Sequence, residues 1–310
     1  MPQADMNISG AGQPIYLDMP GIKNNKVNYI RETEYVVDTI TRQANMQKID
    51  KITVYSIAYF EKTPLLVQLL AVYGADTNKL VRNESYSYNP ANGLLMSYQS
   101  ASDEGFQIGV ATQLARDGAG IITGKSTAIS FDLSKPAKPT DYKVMCSGGT
   151  GINVRSVISK WTNNGKEIMD RISMDYDDKG RLTSYMFASG DNKNSDKTTL
   201  SYDSKGLLKQ RVWQNTHETT QYIPATQGTA VFGVWVPGTK ASTVTKMVTD
   251  TSITAFDYDA QGKFTSISYT DKGKLMSKES FTYTANGLPE TSRIVDDKGR
   301  LTGFKKFICQ

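Results

Sequence analysis

One short pattern, Tyr-Asp-x-x-Gly-x-Leu, recurs along this chain of 310 residues and constrains its fold more than any other feature. Asp at the first corner of a type I turn can accept a hydrogen bond from its own backbone, and Gly supplies the left-handed residue that follows. A type I turn closed by such a glycine is the G1-bulge connection of a β-hairpin. A degenerate copy has Asn78 in the glycine position, and the other copies contain Gly93, Gly165, Gly180, Gly206, Gly262, Gly273, Gly287 and Gly299.

The residues around these turns alternate between large and polar side chains with a period of two. The large members of the alternation include Ile172, Met174, Tyr176, Leu200, Tyr202, Phe256, Tyr258, Phe281 and Tyr283. Each strand therefore has one dry face and one wet face, as antiparallel hairpins do and parallel sheets do not. We predict an all-β fold, an antiparallel meander of repeated hairpins that forms an open sheet, a sandwich or a partial barrel. The tyrosines and leucines of the repeat are predicted to be its core.

The segments "YDDKGRLTSY", "LSYDSKGLLKQ" and "FDYDAQGKFTSISY" resemble the YD repeats of Rhs-type proteins, which also occur in teneurins. The resemblance covers residues 160–310 clearly and 73–98 faintly. In that family the repeats wind into β-sheet shells that enclose or present another polypeptide, usually on exported or cell-surface proteins. The resemblance therefore implies an exported bacterial scaffold that is periplasmic or secreted. Because this chain lacks a long array of copies, we expect a smaller structure than a closed shell.

The chain divides into an N-terminal tail (1–22), a degenerate β-hairpin region (23–134) and a YD-repeat-like region (142–310), unless the last two form one continuous domain. The prolines of "LSKPAKPTDY" mark the boundary between them, because proline interrupts a strand ladder. One earlier segment, "TPLLVQLLAVYG", has two interpretations. Thr63, Pro64 and Gly74 suit the ends of a helix, whereas the run toward the turn at Asn78 suits a strand.

Composition narrows the class of protein. With 38% hydrophobic and 22% charged residues, the chain is typical of a globular protein. Its net charge of +5 is spread out, which argues against nucleic-acid binding. No apolar run reaches the ~18 residues that span a membrane, and no signal peptide is visible, so a cytoplasmic location also stays open. Cys146 and Cys309 form either one disulfide or two buried free thiols.

Three patterns suggest catalytic chemistry, and each has a simpler structural explanation. The stretch Ala119–Ser126, "AGIITGKS", resembles a phosphate-binding loop, but a strand pattern and Pro136 follow it where a helix would be needed. His217 is the only histidine, and the sequence has no Gly-x-Ser-x-Gly motif that would supply a nucleophilic serine for it to activate. Pairs such as Asp177-Asp178 lie at turn corners. We therefore predict that the protein is not an enzyme and uses no cofactor or metal.

The interval from Gly206 to Gly262, which at 262 − 206 = 56 residues is about twice the expected length, holds the candidate binding residues. Long excursions from a regular scaffold often carry binding residues, and tryptophan is enriched at interface hot spots. The candidates are Trp213, Tyr222, Phe232 and Trp235. The first hypothesis is a non-catalytic scaffold that presents a protein-binding surface. The alternatives are a carbohydrate-binding module, whose partner would be a cell-surface glycan, and a carboxylate-based hydrolase. The sequence does not indicate the oligomeric state.

Overall fold

The protein is an all-β barrel in a computed structural model. The structure describes residues 20–73, 79–103, 107–135, 137–150, 153–190, 194–225, 227, 229–231, 234–236 and 239–310. Of the predicted tail, residues 1–19 lie outside this described part, as does the turn at Asn78. None of the helices in the described ranges is long enough and apolar enough to cross a bilayer.

One short helix precedes twenty strands in the described part of the chain. The helix α1 spans Pro20–Asn24. The strands are β1 Tyr29–Val37, β2 Ala44–Phe60, β3 Thr63–Tyr73, β4 Leu80–Tyr88, β5 Leu95–Ser102, β6 Ile108–Arg116, β7 Ile122–Ser130, β8 Thr140–Thr150, β9 Asn153–Asn163, β10 Lys166–Tyr176, β11 Leu182–Ala188, β12 Asn194–Tyr202, β13 Leu208–Ile223, β14 Thr229–Val231, β15 Val234–Val236, β16 Ser242–Tyr258, β17 Phe264–Asp271, β18 Lys274–Tyr283, β19 Pro289–Val295 and β20 Leu301–Cys309.

Each strand of the main sheet pairs antiparallel with the next, so the predicted meander of hairpins is confirmed. The sheet has 18 strands, because β14 and β15 pair only with each other. It also closes, since β20 pairs with β1 from Ile30↔Cys309 to Tyr35↔Phe304. The expectation of an open sheet, sandwich or partial barrel was therefore wrong about closure. Amphipathic alternation specifies the faces of strands and leaves open which two edges meet.

The repeat turn has G1-bulge geometry in the β10–β11 hairpin. The amide of Gly180 donates to the carbonyl of Asp177 at 3.0 Å, and the Asp177 amide donates to the Arg181 carbonyl at 2.9 Å. The carboxylate of Asp177 also accepts hydrogen bonds from the amides of Lys179 and Arg181. The eight repeat glycines all have positive φ, between 67° and 85°. The same turn occurs once more at Gly120, in a hairpin whose sequence lacks the tyrosine.

Two of the predicted copies use a different turn. Asn164 and Gly165 both have positive φ, as do Lys272 and Gly273, and each pair forms the two-residue loop of a hairpin. These are the features of a type I′ turn. The G1-bulge prediction was therefore wrong for these copies. The turn at Gly273 also lies at the opposite end of the barrel from the turns at Gly262 and Gly287, because successive turns of a meander alternate between the two ends, so Tyr269 does not occupy the position that Tyr258 has.

The two segments with open alternatives are now settled. "TPLLVQLLAVYG" forms strand β3, paired with β2 and β4, rather than a helix. Cys146 and Cys309 form no disulfide, so the disulfide alternative was wrong. The proline-containing connection between β7 and β8 joins strands of one continuous sheet.

A gap in the strand ladder explains why the repeat needs tyrosine. Strands β11 and β12 pair only from Ser184↔Thr199 onward, so the carbonyl of Leu182 receives no hydrogen bond from β12 in that ladder. Leu182 is buried, and a buried carbonyl without a donor is costly. The hydroxyl of Tyr202 donates to this carbonyl at 2.8 Å. The repeat tyrosine therefore replaces a missing backbone donor as well as packing against the core.

The same bond recurs around one end of the barrel. In each case the acceptor carbonyl lies two residues before the first rung of the ladder between its own strand and the strand that carries the donor side chain. The pairs are Tyr88–Leu66, Arg116–Leu95, Cys146–Ile122, Tyr176–Val154, Tyr202–Leu182, Tyr258–Leu208 and Tyr283–Phe264. We call these contacts the carbonyl clasps. The prediction that the tyrosines belong to the core was incomplete, because their hydroxyls are also specific donors.

The clasped end of the barrel is filled by α1 and the residues that follow it. Ile22 is fully buried, and Tyr59 donates its hydroxyl to the carbonyls of Ile22 and Val27. At Gly21, a Cβ atom would lie 2.0 Å from the Gly287 carbonyl oxygen, so only glycine allows this close approach. Residues 20–27, which we call the plug, therefore close this end against the turns of the barrel wall.

The packed core lies next to the plug and includes inward-facing residues from strands all around the barrel. Its buried members include Ile30, Tyr55, Leu66, Leu95, Leu114, Val157, Met174, Leu182, Phe256, Phe264, Phe281 and Phe307. Outward-facing residues of β12, β13 and β16 are mostly Ser, Thr, Lys and Gln. The outer wall here is therefore a surface suited to water.

The left-handed turn position can be tested with two glycines that differ in backbone conformation. A Cβ atom would meet nothing within 4 Å at either Gly299 or Gly118, but only Gly299 has positive φ, at 73°. Gly299→Ala should therefore destabilise the protein by about 1–2 kcal/mol. Gly118→Ala should be neutral or stabilise it by up to about 1 kcal/mol. Denaturant unfolding of both variants measures this difference, and equal midpoints would contradict the assigned turn.

The carbonyl clasp can be tested by removing one oxygen atom. Tyr202→Phe keeps the ring and leaves the Leu182 carbonyl without its donor, so the free energy of unfolding should fall by about 1–3 kcal/mol. Tyr222→Phe is the matched control, because Tyr222 is 67% exposed. If both variants unfold at the same denaturant concentration as the unmodified protein, the clasp does not contribute to stability.

Candidate functional site

Beyond the packed core, the inner wall of the barrel is polar and has a recess of about 280 Å³. We call it the lumenal recess; its lining residues are Tyr185, Thr198, Arg211, Trp213, Ser252 and Tyr269. These residues come from β11, β12, β13, β16 and β17, which are neighbours in the sheet. The recess therefore depends on five consecutive strands and on no single loop.

Cross-strand register places these side chains on the inner face in two rows. In the first row, Tyr185 lies opposite Thr198, Thr198 opposite Trp213, and Trp213 opposite Ser252. In the second row, Arg211 lies opposite Thr254, which lies opposite Tyr269. Directly opposed residues of an antiparallel pair share a face. Since Leu200, opposite Arg211, packs against the core, this shared face is the inner one.

The recess combines exposed aromatic rings with buried hydroxyl groups. Trp213 is 39% exposed and Tyr269 is 40% exposed, although both face the inside of a barrel. Thr198 and Ser252 are buried beneath them, at 1% and 8%. Arg211 is exposed and adds a cationic donor. Such a surface can stack against a ring and form hydrogen bonds to its edge.

A chain of three polar side chains continues the inner wall toward the end of the barrel opposite the plug. The amide nitrogen of Asn215 donates to Asp196 Oδ1 at 2.7 Å, and Asn215 Oδ1 lies 2.7 Å from His217 Nδ1. Asp250, opposite Asn215, forms an ion pair with Lys272 at 2.8 Å. The Lys272 ammonium group lowers the pKa of Asp250, so this carboxylate stays charged and paired. His217 therefore lies among oriented polar groups and has no neighbouring nucleophile in this chain of contacts.

A second polar cluster lies elsewhere on the inner wall, around Lys305. Its ammonium group is 3.1 Å from Glu32 and 3.4 Å from Glu279, and Ser292 donates to Glu279 at 2.6 Å. Burial opposes the charge of Lys305, but the two carboxylates outweigh it and raise the pKa of Lys305. Burial also raises the pKa of the neighbouring Glu34. The two carboxylates that the fold brings together are thus bridged by a lysine rather than facing an open cleft.

The stretch that resembles a phosphate-binding loop forms part of a hairpin. Residues 119–126 run from the G1-bulge turn at Gly120 into β7, and no helix follows them before β8 in the described ranges. The ammonium group of Lys125 lies over the ring of Tyr142, 4.5 Å from its centre. Tyr142 in turn contacts Trp161, with ring centres 5.1 Å apart. Lys125 is therefore part of the inner wall and has no phosphate cradle around it.

The four sequence-derived candidates for binding are not brought together. Trp213 lies in the recess, whereas Tyr222 faces outward on the same strand, because nine residues separate them in a ladder without bulges. Trp235 belongs to β15, which pairs with β14, and Phe232 lies outside the described residues. Among the described residues, 218–223 and 242–247 pair only with each other and extend beyond β12 and β17. We call this two-stranded extension the arm.

Three recess residues could not be identified from sequence. Tyr185 and Arg211 occupy ordinary positions in alternating strands. Tyr269 has the spacing of a repeat tyrosine, but the turn after it lies at the end of the barrel away from the clasps, and this places Tyr269 in the recess. The sequence signal is the order of the turns, because the turn at Gly273 falls between those at Gly262 and Gly287. In the described part of the chain, no group of three or more His, Cys, Asp or Glu side chains could hold a metal ion.

Comparisons with known proteins show limited likeness. No family model and no curated protein matches the chain. A porin-like protein from Bacteroides uniformis is 11% identical, with a TM-score of 0.37, covering 92% of this chain and 96% of that one. A porin-like protein from Bacteroides vulgatus is 8% identical, with a TM-score of 0.36 and coverages of 92% and 98%. The TcdB2-TccC3 structure is 10% identical, with a TM-score of 0.31, covering 84% of this chain and 16% of that one. At these values the likeness says nothing about function.

The cluster around Lys305 supports a prediction about stability. Lys305→Met would leave Glu32 and Glu279 without their buried cation, so the free energy of unfolding should fall by about 3–5 kcal/mol near neutral pH. Lys306→Met is the control, since Lys306 is the exposed neighbour. The loss of unfolding free energy in Lys305→Met, relative to the unmodified protein, should become smaller as the pH falls, because protonated carboxyl groups cost less to bury. Equal unfolding midpoints for the two variants would show that the cluster is not a buried charge network.

Proposed function

We propose that this protein is a non-catalytic, exported β-barrel that binds a carbohydrate in its lumen. The observation that carries the proposal is the position of Trp213, which is 39% exposed on the inner wall and flanked by Tyr269 and Arg211. A core of aromatic and aliphatic residues lies nearby in the same barrel. Leaving a large aromatic ring uncovered forgoes favourable burial, and such positions are common where a ligand covers the ring.

The chemistry of the recess favours a sugar over a purely apolar ligand. One face of a sugar ring presents C–H groups that stack on an aromatic ring, while its edge carries hydroxyl groups that need partners. The recess supplies Trp213 and Tyr269 for stacking, with Thr198, Ser252 and Arg211 as hydrogen-bonding groups. An apolar ligand would leave the buried hydroxyls unsatisfied. The aromatic residues that would bind are on the inner face, which is wet at this level of the barrel.

Protein binding through the arm is a second candidate function. Tyr222 is 67% exposed there, and Met247 is 54% exposed on the neighbouring strand. Each strand of the arm has one edge without a partner strand among the described residues, and such edges can accept an added strand from another chain. This candidate uses the outer surface and the arm, so it is separable from binding in the lumen.

Sugar binding in the lumen can be tested with a pair of aromatic substitutions. Calorimetric titration with glucose, xylose, mannose and N-acetylglucosamine oligomers of one to six units would supply the affinities. Trp213→Ala should weaken binding of the best oligomer by roughly tenfold or more, because stacking is lost. Tyr222→Ala should leave it unchanged. Unaltered affinity in Trp213→Ala would refute lumenal binding, and loss only in Tyr222→Ala would move the site to the arm.

A further inference from the structure

We infer that His217, oriented by Asn215 and Asp196, is a second contact point in the lumen and that the ligand is an uncharged chain of linked sugars rather than a single ring. This inference rests on the proposed function and specifies its ligand. It follows from three observations: an ordered set of hydrogen bonds, the spacing along β13, and the charge balance of the inner wall.

The hydrogen bonds fix the orientation of the imidazole. A carboxylate has no proton to donate, so the Asn215 group that faces Asp196 must be its amide nitrogen. The carbonyl oxygen of Asn215 is then the atom that faces His217, and it can only accept. His217 must therefore donate from Nδ1. With Nδ1 committed, Nε2 is the ring nitrogen left to interact with a ligand hydroxyl, and its direction is set by two supporting side chains.

The spacing along β13 requires a ligand longer than one sugar. Trp213, Asn215 and His217 are alternate residues of one regular strand and share its inner face. A strand rises about 3.4 Å per residue, so Trp213 and His217 are about 14 Å apart along the wall. A six-membered ring built from bonds of about 1.5 Å is much shorter than this distance. A ligand that stacks on Trp213 and also reaches His217 must therefore contain more than one ring.

The charges on the inner wall along β13 favour an uncharged sugar chain as the ligand. Arg211, Lys272 and Lys246, which lies opposite Thr219, are cationic, and Asp196, Asp250 and Asp271, which lies opposite Ser252, balance them in number. A binding site for a polyanion would present an excess of positive charge. The inner wall along β13 presents none, so hydroxyl groups are the chemistry it can recognise.

The test compares chain length with the identity of residue 217. Affinities of the glucose, xylose, mannose and N-acetylglucosamine series, from one to six units, would be measured beside a galacturonate series as the polyanionic probe. For the unmodified protein, affinity should rise about tenfold or more from one to three units of a neutral series. His217→Ala should abolish that gain and leave binding of the single sugar unchanged. His217→Gln should recover part of the gain, because the amide can also bond a hydroxyl.

Two further variants separate recognition from simple loss of structure. Asp196→Asn keeps His217 but allows Asn215 to turn over, so the gain with length should fall several-fold. Thr216→Ala is the matched control, since Thr216 contacts Thr249 in the β13–β16 pair one residue away and faces outward. Thermal unfolding of each variant should stay close to that of Thr216→Ala.

The possible failures are distinct. Absence of any binding that depends on Trp213 would refute the proposed function itself. Binding that requires Trp213 but keeps its full length dependence in His217→Ala would refute only this inference. Tighter binding of the galacturonate series than of every neutral series would refute the uncharged chain.

Discussion

The barrel depends on one hydrogen bond repeated around its plugged end, from a side chain before a turn to a carbonyl that the ladder leaves unpaired. Seven such clasps join successive hairpins. Each unsatisfied buried carbonyl would cost about 1–3 kcal/mol, and seven of them would rival the whole stability of a domain. The repeat therefore keeps a tyrosine where a phenylalanine would pack equally well. The turn aspartate and glycine set the hairpin, and the tyrosine attaches it to its neighbour.

The same strands serve two purposes at different heights. Near the plug their inner residues are Met174, Leu182 and Phe264, which pack into one core. On β13, whose first residue Leu208 packs against the core, the inner positions three, five and seven residues further along hold Arg211, Trp213 and Asn215, and the wall becomes wet. The change needs no new element, since β13 simply continues past the level that the core fills. A rigid, clasped end thereby supports a lumen whose side chains are held by cross-strand register, which is what a preorganised binding wall requires.

Much of the fold could be predicted from sequence, because the turn chemistry and the period of two are local signals. The clasps at Arg116 and Cys146 could not, since neither residue fits the repeat and their role depends on a neighbouring hairpin. Closure could not be predicted because it pairs β1 with β20, which share no motif. For the site, Trp213 was singled out as an aromatic residue in a long interval, but its face was unknown. Tyr269 was assigned to the core because its spacing matches the repeat, and only the alternation of turns between the two ends of the barrel shows that it lies away from the core.

Closure of the sheet by its first and last strands has a consequence for how the molecule is made. Ile30 pairs with Cys309, a separation of 309 − 30 = 279 residues. During synthesis the hairpins can form one after another from local contacts, but the free edge of β1 must wait until β20 has been translated. Folding should therefore end with a slow step of high contact order. Until that step, the nascent chain carries an unpaired edge that can join the wrong strand, so mispairing at β1 is the main hazard of its folding.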